Sequence, residues 1–300
     1  MGLGTTIDHA MTSEEAMKLA GLDWSVAKYP SAAVIDLGPD IPAMTLLNER
    51  GYQVVRLDTM TPLGQVGPQY QEVQQHELFS IGDDILRGLG HEARYSAAWE
   101  QDGGRRVALL IELPDDVSVG GDPMVASLAI VNSHDGSQAV GIAPVFTRVR
   151  CTNIVSGIMR RRSTYRLRHT AGVKERAKQA GEVLGLTSAT IVAFREEVEA
   201  LQTAWFTIRQ AELIIADTYR VREQGITTAA RTRRQNRADA AQAIYWSDTI
   251  AGFVGTGWGI VQAVNEESQW ARPVRPEAMG RLAMGAADTV TEQARRLVLA

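Results

Sequence analysis

Three hundred residues with 31 Lys/Arg against 35 Asp/Glu, a net charge of −4 and a 45% apolar fraction describe an ordinary globular chain able to bury a sizeable core. One cysteine, Cys151, excludes an internal disulfide and any multi-thiolate metal centre, which fits a reducing compartment. No apolar run reaches the roughly 18 residues of a membrane span, and the start of the chain lacks the basic-then-apolar layout of a secretory signal, so a soluble, cytoplasmic protein without a membrane partner is expected.

The first half reads as strands and turns. From Tyr52 to Gln74, "YQVVRLDTMTPLGQVGPQYQEVQ" alternates and predicts a meander turning at Pro62-Leu63-Gly64. "HELFSIGDDILRGLG" then places Leu78, Ile81, Ile85, Leu86 and Leu89 near helical spacing and ends in Gly90, so one helix interrupts the strands. Two hairpins follow, one turning at Asp102-Gly103-Gly104 and one at His134-Asp135-Gly136, each between alternating runs.

After Arg150 the pattern becomes helical. "AGVKERAKQAGEVLG" is helix-prone, Ser188 is the expected N-cap of one long helix running to about Glu223, and "ARTRRQNRADAAQAIYWSDTIAGFVG" predicts another. A Pro-rich break at "ARPVRPEAMG" precedes a last amphipathic helix bearing Leu282, Ala286, Val290 and Leu297. The expected fold is α+β, an antiparallel strand-rich N-terminal half with hairpins followed by a mainly helical C-terminal half. Residues 1–150 form the strand-rich region and 151–300 the basic segment and helical region, as two domains or one continuous domain.

Enzyme chemistry has little purchase on this sequence. The five histidines show neither HxxxH nor HExxH spacing, no Walker A or GxSxG stretch occurs, and no metal or cofactor is expected. "GFVGTGWG" reads as close packing at Gly255, Gly257 and Gly259 rather than as a nucleotide loop. Cys151 has arginine neighbours but no base in sequence and reads as structural. Glu196, Glu197 and Glu199 read as a solvated helix face.

Charge is unevenly distributed. Residues 1–147 hold 20 Asp/Glu against 8 Lys/Arg, whereas residues 148–180 hold 10 Lys/Arg against Glu175 alone. Like charges so concentrated call for a counter-ion. Arg160, Arg161, Arg162, Arg166 and Arg168 surround Tyr165 and lead to His169, Lys174 and Lys178; Arg220, Arg222, Arg231, Arg233, Arg234 and Arg237, against Glu223, make a second cluster, of which the last four are candidate contacts. Guanidinium groups fork onto phosphates and an adjacent ring stacks on an unpaired base, so the arginines are candidate phosphate contacts and Tyr165 a candidate stacking residue for single-stranded nucleic acid. The alternative is that these cations face the acidic first half or a neighbouring subunit.

"RVRCTNIV" at Arg148, the "RHT" at Arg168-His169-Thr170, the upstream "HDG" and "GWGIVQAVNEES" near the end resemble the phage/plasmid-like protein family catalogued as domain of unknown function 932. That resemblance implies a mobile-element origin, hence the cytoplasm of a host cell, and no established activity. In architecture the chain is also similar to the ATP-independent strand-annealing proteins of phages. The reading drawn from both is a homo-oligomeric single-stranded nucleic-acid-binding protein, with strand annealing in recombination as its use. An enzyme of unrecognised type, or a structural or regulatory oligomer whose basic segment docks on an acidic protein surface, stays open beside it.

Overall fold

The computed structural model describes residues 5–7, 12–39, 41–89, 94–113, 117–119, 121–148, 165–173, 180–270 and 289–300. Cys151, Arg160, Arg161, Arg162, Lys174, Lys178, Leu282 and Ala286 lie outside them.

The first half, with one strand from beyond residue 150, builds two antiparallel sheets. The larger has seven strands, in the order β1 (Thr5–Thr6), β5 (Arg94–Gln101), β6 (Arg106–Glu112), β8 (Asp122–Ser133), β9 (Val140–Arg148) and β10 (Tyr165–Leu167), with β7 (Val117–Val119) paired to β8. The smaller contains β2 (Val26–Ile35), β3 (Met44–Arg56) and β4 (Thr61–Val66). Both expected hairpins form: β5 pairs with β6 across Asp102-Gly103-Gly104, and β8 with β9 across the His134-Asp135-Gly136 turn. Asp102, Gly103 and Gly104 all have positive φ (54°, 69° and 100°), which two glycines tolerate at little cost.

The meander turns elsewhere than expected. Pro62-Leu63-Gly64 lies inside β4, and the chain reverses at residues 57–60, where Met60 adopts φ 55°. Pro62 fits because β4 is an edge strand, where a missing N–H costs no ladder bond, and Leu63 is absorbed by a bulge between Val54 and Val55. Residues 67–74 are irregular rather than a resumed strand.

Alternation gives the large sheet one strongly apolar face, made by Val107, Leu109 and Ile111 of β6, Leu128 and Ile130 of β8, and Ile142 and Phe146 of β9. Helices bury it. α1 (Ser13–Leu19) is capped by Thr12, whose hydroxyl accepts from the Glu15 N–H at 3.2 Å. α2 (Gln75–Leu89) lays Leu78, Phe79, Ile81 and Ile85 on the sheet. From the second half, α3 (Ala180–Thr203) stacks Phe194 on Phe146, with centroids 3.9 Å apart and planes 3° from parallel. The remaining α-helices among the described residues are α4 (Ile208–Thr218), α5 (Thr228–Tyr245), α6 (Gly257–Trp270) and α7 (Thr289–Val298). One apolar cluster runs from Ile7 to Val298 across both halves.

Ser188 does not start a helix; it lies within α3, and the single long helix expected to reach Glu223 is two. Tertiary bonds make the break. Trp205 bridges to Thr256, the Phe206 N–H donates to the Gly255 carbonyl at 2.8 Å, and the Gly257 N–H donates to the Ala204 carbonyl at 2.8 Å. Thr207 then restarts the chain with a reciprocal capping box to Gln210. The glycines permit this approach, since a Cβ at Gly257 would lie 2.3 Å from Val298 Cγ1 and one at Gly259 would lie 2.2 Å from the Phe253 carbonyl oxygen.

The stacked phenylalanines are both fully buried and join the sheet to the helical half. Phe194→Ala should therefore lower unfolding free energy by about 3–5 kcal/mol, read by urea denaturation.

Candidate functional site

The segment from Tyr165 to His169 alternates in and out. Tyr165 is half-buried against the core, Leu167 and His169 are buried, and Arg166 and Arg168 are exposed. This is the period-2 pattern of an extended strand, and residues two apart on one face sit roughly 6.6 Å from each other. Among the described residues β10 pairs with β9 alone, with Tyr165, Arg166 and Leu167 opposite Ile142, Gly141 and Val140. Tyr165 and the two arginines consequently point to opposite faces. The ring proposed to stack and the cations beside it in sequence do not share a ligand surface.

His169 anchors the end of this strand rather than presenting itself to solvent. Its ring is 7% exposed and stacks on Tyr70, with centroids 4.6 Å apart and planes at 16°. Its Nδ1 lies 3.0 Å from the Gln71 carbonyl, and its own carbonyl accepts the Gln71 N–H at 3.0 Å. The Tyr70 hydroxyl in turn donates to the Ser133 carbonyl at 2.8 Å. Burial lowers the His169 pKa, and burial raises that of Tyr70.

Ser133 leads into the His134-Asp135-Gly136 turn, so two motifs 35 positions apart in sequence meet through Tyr70. His134 is fully buried, its ring lying 5.5 Å edge-on from Trp24, and neither ring nitrogen has a hydrogen-bond partner. Burial first, then the neighbouring His169, push its pKa down to about 4, against a smaller upward pull from Asp135. Trp24 is held in turn by its indole N–H donating to Glu100 at 3.0 Å, with the Arg56 guanidinium 4.2 Å over the ring and 2.7 Å from the same carboxylate. Gly64 lets β4 lie flush on the turn, since a Cβ there would approach Asp135 Cα to 2.4 Å. The junction is a neutral, tightly packed support. Among the described residues no cluster of three or more His, Cys, Asp or Glu could hold a metal ion.

The second basic cluster divides. Arg237 forks onto Glu267, whose side chain is 1% exposed, at 2.6 Å from Nη2; the Tyr219 hydroxyl donates to the same carboxylate at 2.8 Å. Arg234 pairs with Glu223 at 2.5 Å and donates to the Arg220 carbonyl at 2.9 Å. Arg231 and Arg233 are exposed and make no ion pair among the described residues. At 100° per residue they flank the two inward-turned arginines on either side of α5. α5 packs against α4 and α6, whereas β10 packs against β9, so the two clusters belong to different parts of the fold.

Two aromatic residues that sequence reasoning passed over stand at the surface. Trp205 is 73% exposed and rests on Gly255, where a Cβ would lie 3.0 Å from the indole. Trp246 is 50% exposed and meets the Tyr245 ring edge-on at 5.3 Å; the Tyr245 hydroxyl accepts the Gly255 N–H at 2.6 Å, linking the two indoles through one glycine. Arg209, also exposed, follows Trp205 by four positions in the first turn of α4. In sequence Trp205 looked like an interior residue of a long helix, and only the break at residues 204–207 brings it out.

The family model described as Domain of unknown function (DUF932) matches residues 62–288. No curated protein and no solved structure matches the chain.

Two consequences are measurable. His134 is neutral when folded and takes up a proton more readily when unfolded, so its contribution is complete above pH 6.5 and is lost as pH falls from 6.5 towards about 4. His134→Gln should remove on the order of 3 kcal/mol of the difference in unfolding free energy between pH 7 and pH 4, measured by denaturant titration at both. Arg237→Ala should cost about 3–5 kcal/mol of stability by stranding the buried Glu267 carboxylate, visible as a lowered melting temperature.

Proposed function

The chain belongs to the family described as Domain of unknown function (DUF932), a description that names no activity, and we propose that it is a single-stranded nucleic-acid-binding protein, with strand annealing as its use. The observation that carries this reading is the alternation along residues 165–169. Buried Leu167 and His169 fix the strand while Arg166 and Arg168 stand exposed on its outer side, with guanidinium groups of the kind that fork onto phosphates. Arg231 and Arg233 add exposed guanidinium groups, and Trp205 and Arg209 add an exposed ring and an exposed cation four positions apart, the two side-chain types that sequence-tolerant binding to unpaired strands uses. The paired arginines, Arg234 and Arg237, are assigned to holding the helices together.

The reading is tested by fluorescence anisotropy of a labelled oligonucleotide with nuclease-treated protein across a salt series. Each released phosphate contact contributes a slope of about −0.7 in log affinity against log salt, so Arg166→Ala/Arg231→Ala/Arg233→Ala should flatten the slope by about two units, with similar loss on all sequences. Trp205→Ala should weaken binding by about 1–3 kcal/mol and leave the slope unchanged. A triple variant that keeps both the wild-type slope and its fold would assign these cations to protein surfaces instead.

A further inference from the structure

The first part of β2 and the last part of β3 lie in the small sheet, but Ser31–Ile35 and Met44–Asn48 run on beyond the end of β4 as a bare two-stranded arm. The arm bends away at its root. Pro30 pairs with Tyr52 and Ser31 with Asn48, leaving Glu49, Arg50 and Gly51 as extra residues in β3. The Asn48 carboxamide accepts the Arg50 N–H at 3.1 Å and folds over Gly51, where a Cβ would lie 2.3 Å from it. A groove at this root is lined by Ser31, Ala33, Leu46, Asn48 and Gln65.

Beyond the root both faces of the arm are apolar and uncovered. Val34 and Leu47 share one face and are 71% and 72% exposed; Leu46 and Met44 on the other are 48% and 44% exposed. With Tyr29, Leu37 and Ile41 these side chains offer on the order of 650 Å² of apolar surface, at about 150–200 Å² for a whole large side chain, against the roughly 800 Å² each partner contributes to a standard interface. No charged residue stands between Ser31 and Ile35 or between Ile41 and Asn48. Exposed edges are ordinarily guarded by charge or proline. On the β2 side such guards stand at the base of the arm, where Pro30 lacks an N–H and the Gln74 carboxamide bonds both the Val26 N–H and carbonyl at 3.0 and 2.8 Å. The β3 edge from Met44 to Asn48 has neither.

We propose that this arm is a self-association surface, the Met44–Asn48 edges of two copies pairing antiparallel about a twofold axis through Leu46. An unguarded edge of identical sequence is self-complementary under such an axis: Met44 falls opposite the partner's Asn48, and Leu46 opposite its own equivalent. The pairing turns two marginal ribbons into a four-stranded sheet, satisfies the open backbone groups of both edges and sets the apolar side chains along the seam against those of the partner. An uncharged, apolar arm offers nothing to a polyanion, so this contact is separate from the nucleic-acid reading and stands or falls without it.

Light scattering after size exclusion at micromolar concentration should give a dimer, or a multiple of one, for the wild type and a monomer for Val34→Lys/Leu47→Lys. Both positions are more than two-thirds exposed, so circular dichroism and melting of the variant should match the wild type apart from the loss of association. Leu46→Cys in a Cys151→Ser background should form a covalent dimer on mild oxidation. A wild type that remains monomeric, or a double-lysine variant that keeps its oligomeric state, overturns the proposal; so does a Leu46→Cys variant that associates without cross-linking. Binding of a monomeric wild type to phosphatidylcholine vesicles, lost in the double-lysine variant, would give the arm to a membrane surface instead.

Discussion

One face of the seven-stranded sheet cannot be left in water, and the arrangement of the chain follows from covering it. Val107, Leu109, Ile111, Leu128, Ile130, Ile142 and Phe146 form a continuous apolar surface, and among the described residues the first half supplies two helices, α1 and α2, towards burying it. The rest comes from the helical half. Phe194 of α3 stacks on Phe146, while the Trp258 indole N–H of α6 donates to Asp122 at 2.9 Å, both of these side chains fully buried. A buried carboxylate at the start of β8 is thereby given a donor from a helix 136 positions later, which ties the two halves through a polar bond as well as through packing.

That covering decides which cations remain available. Arg237 is drawn inward because Glu267, on the opposing surface of α6, is buried and needs a counter-ion; Arg234 is drawn to Glu223 by the turn after α4. Arg231 and Arg233, on the flanks of the same helix, have no such partner among the described residues. At the sheet edge the Tyr70–His169 stack holds His169 inward, and Arg168 before it faces outward. Exposed charge and buried support are thus two results of one alternation.

The two proposed surfaces differ in chemistry in the way their locations would require. The cations rest on elements rooted in the main core, whereas the arm is a bare ribbon beyond a three-residue bulge, outside the residues that the family model matches. A binding face needs guanidinium groups held at fixed spacing by a rigid scaffold. A pairing edge needs open backbone and apolar side chains, and tolerates a bend at its base.

The sequence by itself determined the fold class, both hairpins and the helix at 75–89, because period-2 and period-3.6 patterns and Asp-Gly turns are local signals read within a dozen residues. It also located the close packing at Gly255, Gly257 and Gly259. What it could not determine was whatever depends on a distant partner. Ser188 looked like a cap because its local preference is real, but α3 continues through it, and the helix ends where Gly255 and Gly257 bond the backbone of residues 204–206. The turn expected at Pro62 moved to 57–60 because an edge strand tolerates proline, and edge position is a property of the sheet. His169 and Arg168 are neighbours of similar chemistry in sequence; only the ring of Tyr70, 99 positions away, decided that one is buried support and the other exposed charge.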